Sequence, residues 1–151
     1  MDRRDYILRM IEQLGQVLLA IRNRILRREI DRDEVRETLS GVARQGGLDL
    51  ELARAMSPDT LMMMVAPGGE VDPGRAWILA EIFYLEGLEA ETAELPSEAR
   101  PAYERAGFLY GLLSPVTGNL VGVEEAPERI AEIERRLAAL PPRQRRRLAR
   151  R

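Results

Sequence analysis

Three chemically versatile residue types are missing from this 151-residue chain: cysteine, histidine and, among its 23 basic residues, lysine. Without cysteine there are no disulfides, no thiol nucleophile and no thiolate zinc ligands. Without histidine there is no Ser-His-Asp triad and no imidazole acid–base catalyst. Without lysine there is no Schiff-base amine and no phosphate-loop lysine. The stretch from Gly111 to Gly118 shows the last point directly, since Asn119 stands where a phosphate loop places its lysine. Aromatic residues make up only 5%, too few for a base-stacking platform. Long apolar runs are also absent. The apolar runs at residues 76–80 and 82–85, separated by Glu81, fall far short of the ~20 residues that cross a bilayer. With no signal-peptide pattern either, the expected location is the cytoplasm, with no membrane partner.

What is present is an apolar fraction of 45%, enough for a folded core. The length suits one domain, residues 1–142, followed by an arginine-rich tail, residues 143–151. Charge is segregated. Residues 1–69 carry 11 arginines and 11 acidic residues; residues 70–134 carry 4 and 14; residues 135–151 carry 8 arginines and no acid. A chain polarised in this way either pairs its own ends or presents two differently charged faces.

Helical periodicity runs through most of the sequence. Over residues 5–30, Ile7, Ile11, Leu14, Leu18, Ile21 and Ile25 form a heptad seam widened by Met10 and Val17. Gly15 interrupts the helix where a neighbour can approach closely. A second helix is predicted over residues 33–45, stopped by Gly46-Gly47, and a short third over residues 49–56. Ser57-Pro58 and Asp72-Pro73 each start a further helix, because an oxygen-bearing cap followed by proline suits a helix N-terminus. These helices cover residues 58–65 and 73–91. Another begins at Ser97 and ends before Ser114-Pro115, and Pro127 opens the last. Residues 115–125 lack helical periodicity and read as loop or a short extended piece. No strand pair emerges. The fold class is therefore all-α, a bundle or hairpin array of about six to seven helices.

The run Asp5-Tyr6-Ile7-Leu8-Arg9-Met10-Ile11-Glu12-Gln13-Leu14 resembles the N-terminal signature of a family of small, uncharacterised bacterial helical proteins. Gly47-Leu48-Asp49-Leu50 and the segment from Ser57 to Leu61 follow in the same order as in that family, so the resemblance covers residues 3–113. It implies a helical packing module and carries no assigned activity. Within it, Ala99, Tyr103 and Ala106 have the small–aromatic–small spacing of the second helix of a tetratricopeptide unit. Gly87 lies twelve residues before Ala99, as that repeat's glycine does. Glu86 stands where the repeat has a large apolar residue, so the helix pair is a degenerate one.

The candidate interaction residues are the seam, Ile7, Ile11, Leu14, Leu18, Ile21 and Ile25, and three tyrosines, Tyr84, Tyr103 and Tyr110. The seam is either a homodimer interface or the spine of one bundle. A groove lined by the tyrosines would take a peptide. Met62-Met63-Met64, with Met56, and Trp77, Phe83 and Tyr84 are expected to fill the core. Glu81 sits in the most apolar helix and needs an arginine partner, for which Arg75 and Arg105 are candidates. Glu86 and Glu89, or Glu124, Glu125 and Glu128, could hold a divalent ion, although a solvated helix face accounts for them. The tail arginines Arg143, Arg145, Arg146, Arg147, Arg150 and Arg151 could contact nucleic-acid phosphates without sequence readout. The favoured reading is a non-catalytic, self-associating module that needs no cofactor and contacts a second copy or another protein or peptide. The alternatives are a nucleic-acid accessory protein and, behind it, a glutamate-based metal enzyme.

Overall fold

The computed structural model describes residues 3–113 and 126–142, apart from the side chains of Arg3, Arg4 and Ile7. The described residues form seven helices: α1 (Arg3–Leu26), α2 (Arg32–Gln45), α3 (Leu50–Ala55), α4 (Pro58–Val65), α5 (Pro73–Thr92), α6 (Pro96–Leu113) and α7 (Ala126–Ala139). They make an all-α bundle, and no strand occurs among the described residues.

The helix starts follow from local chemistry. Asp31, Asp49, Ser57 and Asp72 cap α2, α3, α4 and α5, each accepting a hydrogen bond from a backbone N–H of the first turn. Proline occupies the start of α4 and α5. Gly46 and Gly47 end α2, with Gly47 at φ +74° and the Leu48 N–H bonded back to the Ala43 carbonyl at 2.8 Å.

Two boundaries differ from the sequence reading. α1 stops at Leu26 rather than at residue 30. Arg28 turns to φ +57°, and the Glu29 N–H returns to the Arg24 carbonyl at 2.9 Å. The link between α5 and α6 is also tighter than expected. Pro96 and Pro101 both lie inside α6, and only Ala93, Glu94 and Leu95 connect the helices. Glu94 makes the turn at φ +60°, while the Leu95 N–H bonds the Ala90 carbonyl at 2.8 Å.

α5 is the centre. Trp77, Ile78, Leu79, Ile82, Phe83, Tyr84, Leu85 and Leu88 are all buried, so the helix meets neighbours on most sides. α6 pairs with it along its length, α1 and α2 lie against it, α4 touches both α5 and α6, and α7 covers the pair from the α6 side. The described seam residues of α1, Ile11, Leu14, Leu18, Ile21 and Ile25, all face this core. Gly15 sits where an added Cβ would come within 3.3 Å of the Trp77 ring, the close approach anticipated from its position.

Candidate functional site

The main concentration of polar side chains is a ladder between α5, α6 and α7. Glu81, Tyr84 and Glu91 share one face of α5, since they are spaced by three and seven residues. Arg129, Glu132 and Arg136 present a matching row on α7, spaced by three and four. In the first rung the Tyr110 hydroxyl donates to Glu81 Oε1, and Arg129 Nη2 lies 3.7 Å from the same oxygen. In the second the Tyr84 hydroxyl donates to Glu132 and accepts from Arg22 Nε at 3.3 Å. In the third Glu91 Oε1 accepts from the Tyr103 hydroxyl at 2.6 Å and from Arg136 Nη1 at 3.1 Å. Arg129 also lies 4.0 Å over the Tyr84 ring, a cation–π contact. Arg136 Nε reaches Glu132 at 3.3 Å, which joins the second and third rungs. Because 81 pairs with 129, 84 with 132 and 91 with 136, α5 and α7 run in the same direction with α6 antiparallel between them.

Most of the ladder's polar groups are partnered within it, while Arg129 Nε is buried without a hydrogen-bond partner among the described residues. Burial pushes all three phenols above the ordinary tyrosine value, and their carboxylate acceptors add to the shift. Burial alone would raise Glu132, but the Tyr84 hydroxyl, Arg129 and Arg136 outweigh it and hold the carboxyl below its usual range. Burial also opposes the charge on Arg129, yet the Tyr110 oxygen and Glu81 more than compensate. The three phenols are therefore neutral at neutral pH, and Glu132, Arg129 and Arg136 keep their charges.

A second polar site is a cleft of about 260 Å³ between α2, α3, α5 and α6. Its floor is Val35, Ala90, Pro101 and Ala102, and its rim carries four arginines and three glutamates. Arg32 bridges Glu89 at 2.7 Å and Glu98. Arg54 binds Glu86 and Glu51. Arg105 donates to the backbone carbonyls of Arg54 and Met56 at 3.0 and 3.1 Å, closing the end of α3. Burial raises Glu89 while Arg32 opposes the rise.

These positions revise several expectations. Tyr84, Tyr103 and Tyr110 do not line an open peptide groove, because all three are buried beneath α7 and its neighbours. The described seam residues face the chain's own α5, so they offer no free coiled-coil surface. Glu81 meets Arg129, not Arg75 or Arg105. Arg75 lies 3.7 Å from Asp72, and Arg105 is engaged at α3. Glu86 and Glu89 turn to different arginines, and Glu128 is exposed. Among the described residues no group of three or more carboxylates is placed to hold a metal ion. Met62 and Met63 are 41% and 73% exposed rather than in the core, while Met64 and Met56 pack against it. Trp77, Phe83 and Tyr84 fill the core as expected. Residues 115–125 with Glu124 and Glu125, the Ile7 side chain, and Arg143, Arg145, Arg146, Arg147, Arg150 and Arg151 lie outside the described residues.

Sequence reasoning overlooked α7 as the partner of the acidic α5. Part of the signal was available: Glu81-x-x-Tyr84 and Arg129-x-x-Glu132 share the same three-residue spacing, and the glutamates Glu81 and Glu91 meet the arginines Arg129 and Arg136.

No family model matches the chain, and comparison with curated proteins and with solved structures returns no significant match. Among the described residues no helix is long and apolar enough to cross a membrane.

Proposed function

We propose that this chain is a non-catalytic helical module that works through protein–protein contact, with a second copy of itself as the first partner. The observation that supports this reading is the contrast between inside and outside. The ladder's tyrosine hydroxyls and carboxylates are hydrogen-bonded within the fold, whereas large apolar side chains lie open on the outside. These are Leu19, Leu26 and Val17 on the flanks of α1, and Met62 and Met63 on α4. Leu19 and Leu26, seven residues apart, share one flank of α1, and exposed apolar side chains on one helix face are a usual ingredient of a contact surface. The α5–α6 pair fits the tetratricopeptide-like reading in one respect. Gly87 admits the Tyr103 ring so closely that an added Cβ would fall 2.5 Å from it. The likeness to small bacterial helical proteins and the cytoplasmic location belong to the same proposal.

Sedimentation across the micromolar range tests it. The wild-type chain is expected to exceed the monomer mass, and the Leu19→Glu/Leu26→Glu variant to sediment as a monomer with an unchanged melting temperature. A wild-type chain that stays monomeric throughout removes self-association.

A second reading, nucleic-acid association through residues 143–151, draws on the run of arginines and on how their root is held. Arg100 Nη2 donates to the Pro141 carbonyl at 2.7 Å, fixing the point from which the tail departs. Binding that weakens steeply with salt and vanishes on deleting residues 143–151 would support it. The glutamate-metal enzyme has no comparable support.

A further inference from the structure

α4 carries methionines of two kinds. Leu61 and Val65 are fully buried and anchor the helix, while Ser57 caps it through the Thr60 N–H. Met64 shares the inner side and packs against the core, as does Met56 just before the helix. Met62 and Met63 lie on the outer side, with Met63 the most open large apolar residue of the described chain at 73% exposure. The chain has no cysteine, so no thiol competes for an oxidant and methionine is its only sulfur.

We propose that Met63, and after it Met62, form an oxidation site for peroxides. The thioether sulfur attacks one peroxide oxygen. A sulfur–oxygen bond forms as the oxygen–oxygen bond breaks, the sulfur is oxidised by two electrons, and the departing oxygen leaves as water or, from an organic hydroperoxide, as an alcohol. Rate follows access to the sulfur, which sets the order. Among the described methionines Met63 reacts first and Met62 second, ahead of Met64, Met56 and Met10, which are partly buried where they pack against the core. The fold tolerates the first two oxygens because each extends into solvent and neither Leu61 nor Val65 moves. The sulfoxide dipole nevertheless converts an apolar face into a polar one. If α4 takes part in the protein–protein contact proposed above, oxidation weakens that contact; this consequence rests on that reading, whereas the order of oxidation does not.

The experiment is a hydrogen peroxide time course on the full chain, read by peptide mass spectrometry and circular dichroism. The expected result is oxygen gained at Met63, then Met62, with Met64, Met56 and Met10 slower by at least several-fold. Helix content and melting temperature stay unchanged while only these two of the described methionines are oxidised, and in a Met62→Leu/Met63→Leu chain the peptide holding α4 loses its fast phase. Equal rates at Met64 or Met56 and at Met63, or loss of helix with the first oxygen, would overturn the proposal. Sedimentation of the doubly oxidised chain reads the consequence separately: an unchanged mass with the predicted oxidation order retires the role of α4 in association and leaves the site standing.

Discussion

Two glycines show how finely the packing discriminates between single atoms. A Cβ on Gly87 would fall 2.5 Å from the Cδ1 and Cε1 atoms of Tyr103, and that ring is fixed at its far end by the hydrogen bond to Glu91. Gly41, inside α2, has nothing within 4 Å of the same position. Alanine improves intrinsic helix propensity at both sites by up to about 1 kcal/mol. At Gly87 the overpacking, about 1–3 kcal/mol, outweighs it; at Gly41 nothing opposes it. Gly87→Ala should therefore lower the denaturation midpoint, and Gly41→Ala should raise it, the latter by roughly 0.5–1 kcal/mol in stability. Shifts of the same sign would contradict the packing described. The spacing of Gly87 to Ala99 and Tyr103 was readable in the sequence, but the absence of any neighbour at Gly41 was not, since it depends on which face of α2 the bundle leaves open.

At the scale of elements, the caps and breakers were the most legible features because they act within a few residues. Asp31, Asp49, Ser57, Asp72 and the Gly46-Gly47 pair mark their boundaries by local hydrogen bonding alone. α1 extends less far than its periodicity because a non-glycine residue, Arg28, adopts a left-handed conformation, which no sequence signal marks. α7 is the opposite case. It buries Ala126 and Ile133 and packs Ile130 and Leu137 against the core, and the polar ladder adds to its docking. The Arg129 and Glu81 side chains are only 16% and 13% exposed. Removing one partner from such a pair leaves a poorly solvated charge. Arg129→Ala should cost about 2–4 kcal/mol, and a double-mutant cycle with Glu81→Ala should return a coupling of about 1–3 kcal/mol by denaturation. Additive single losses would mean that the rung carries no specific energy and that α7 is held by its apolar residues alone.

For the molecule as a whole, composition and periodicity were sufficient for an all-α bundle, because burial of amphipathic helices needs no knowledge of partners. They did not reveal which way the seam faces. Ile11, Leu14, Leu18, Ile21 and Ile25 would look the same in sequence against α5 as against a second chain. Nor could they show whether the tyrosines were open or covered, the point on which a peptide groove and a closed polar ladder part company. The structure has them covered. Alkaline titration addresses this most directly. The folded-state values of Tyr84, Tyr103 and Tyr110 are raised above the ordinary value near 10. Each phenol therefore stabilises the fold fully below that pH, and the contribution is lost as pH rises beyond it, by up to about 1.4 kcal/mol per pH unit per tyrosine. In a Tyr6→Phe background, phenolate absorbance should remain low past pH 10 and then rise together with the loss of helical circular dichroism. Ionisation of all three near the ordinary value, with the helices intact, would show phenols within reach of solvent and would contradict the account.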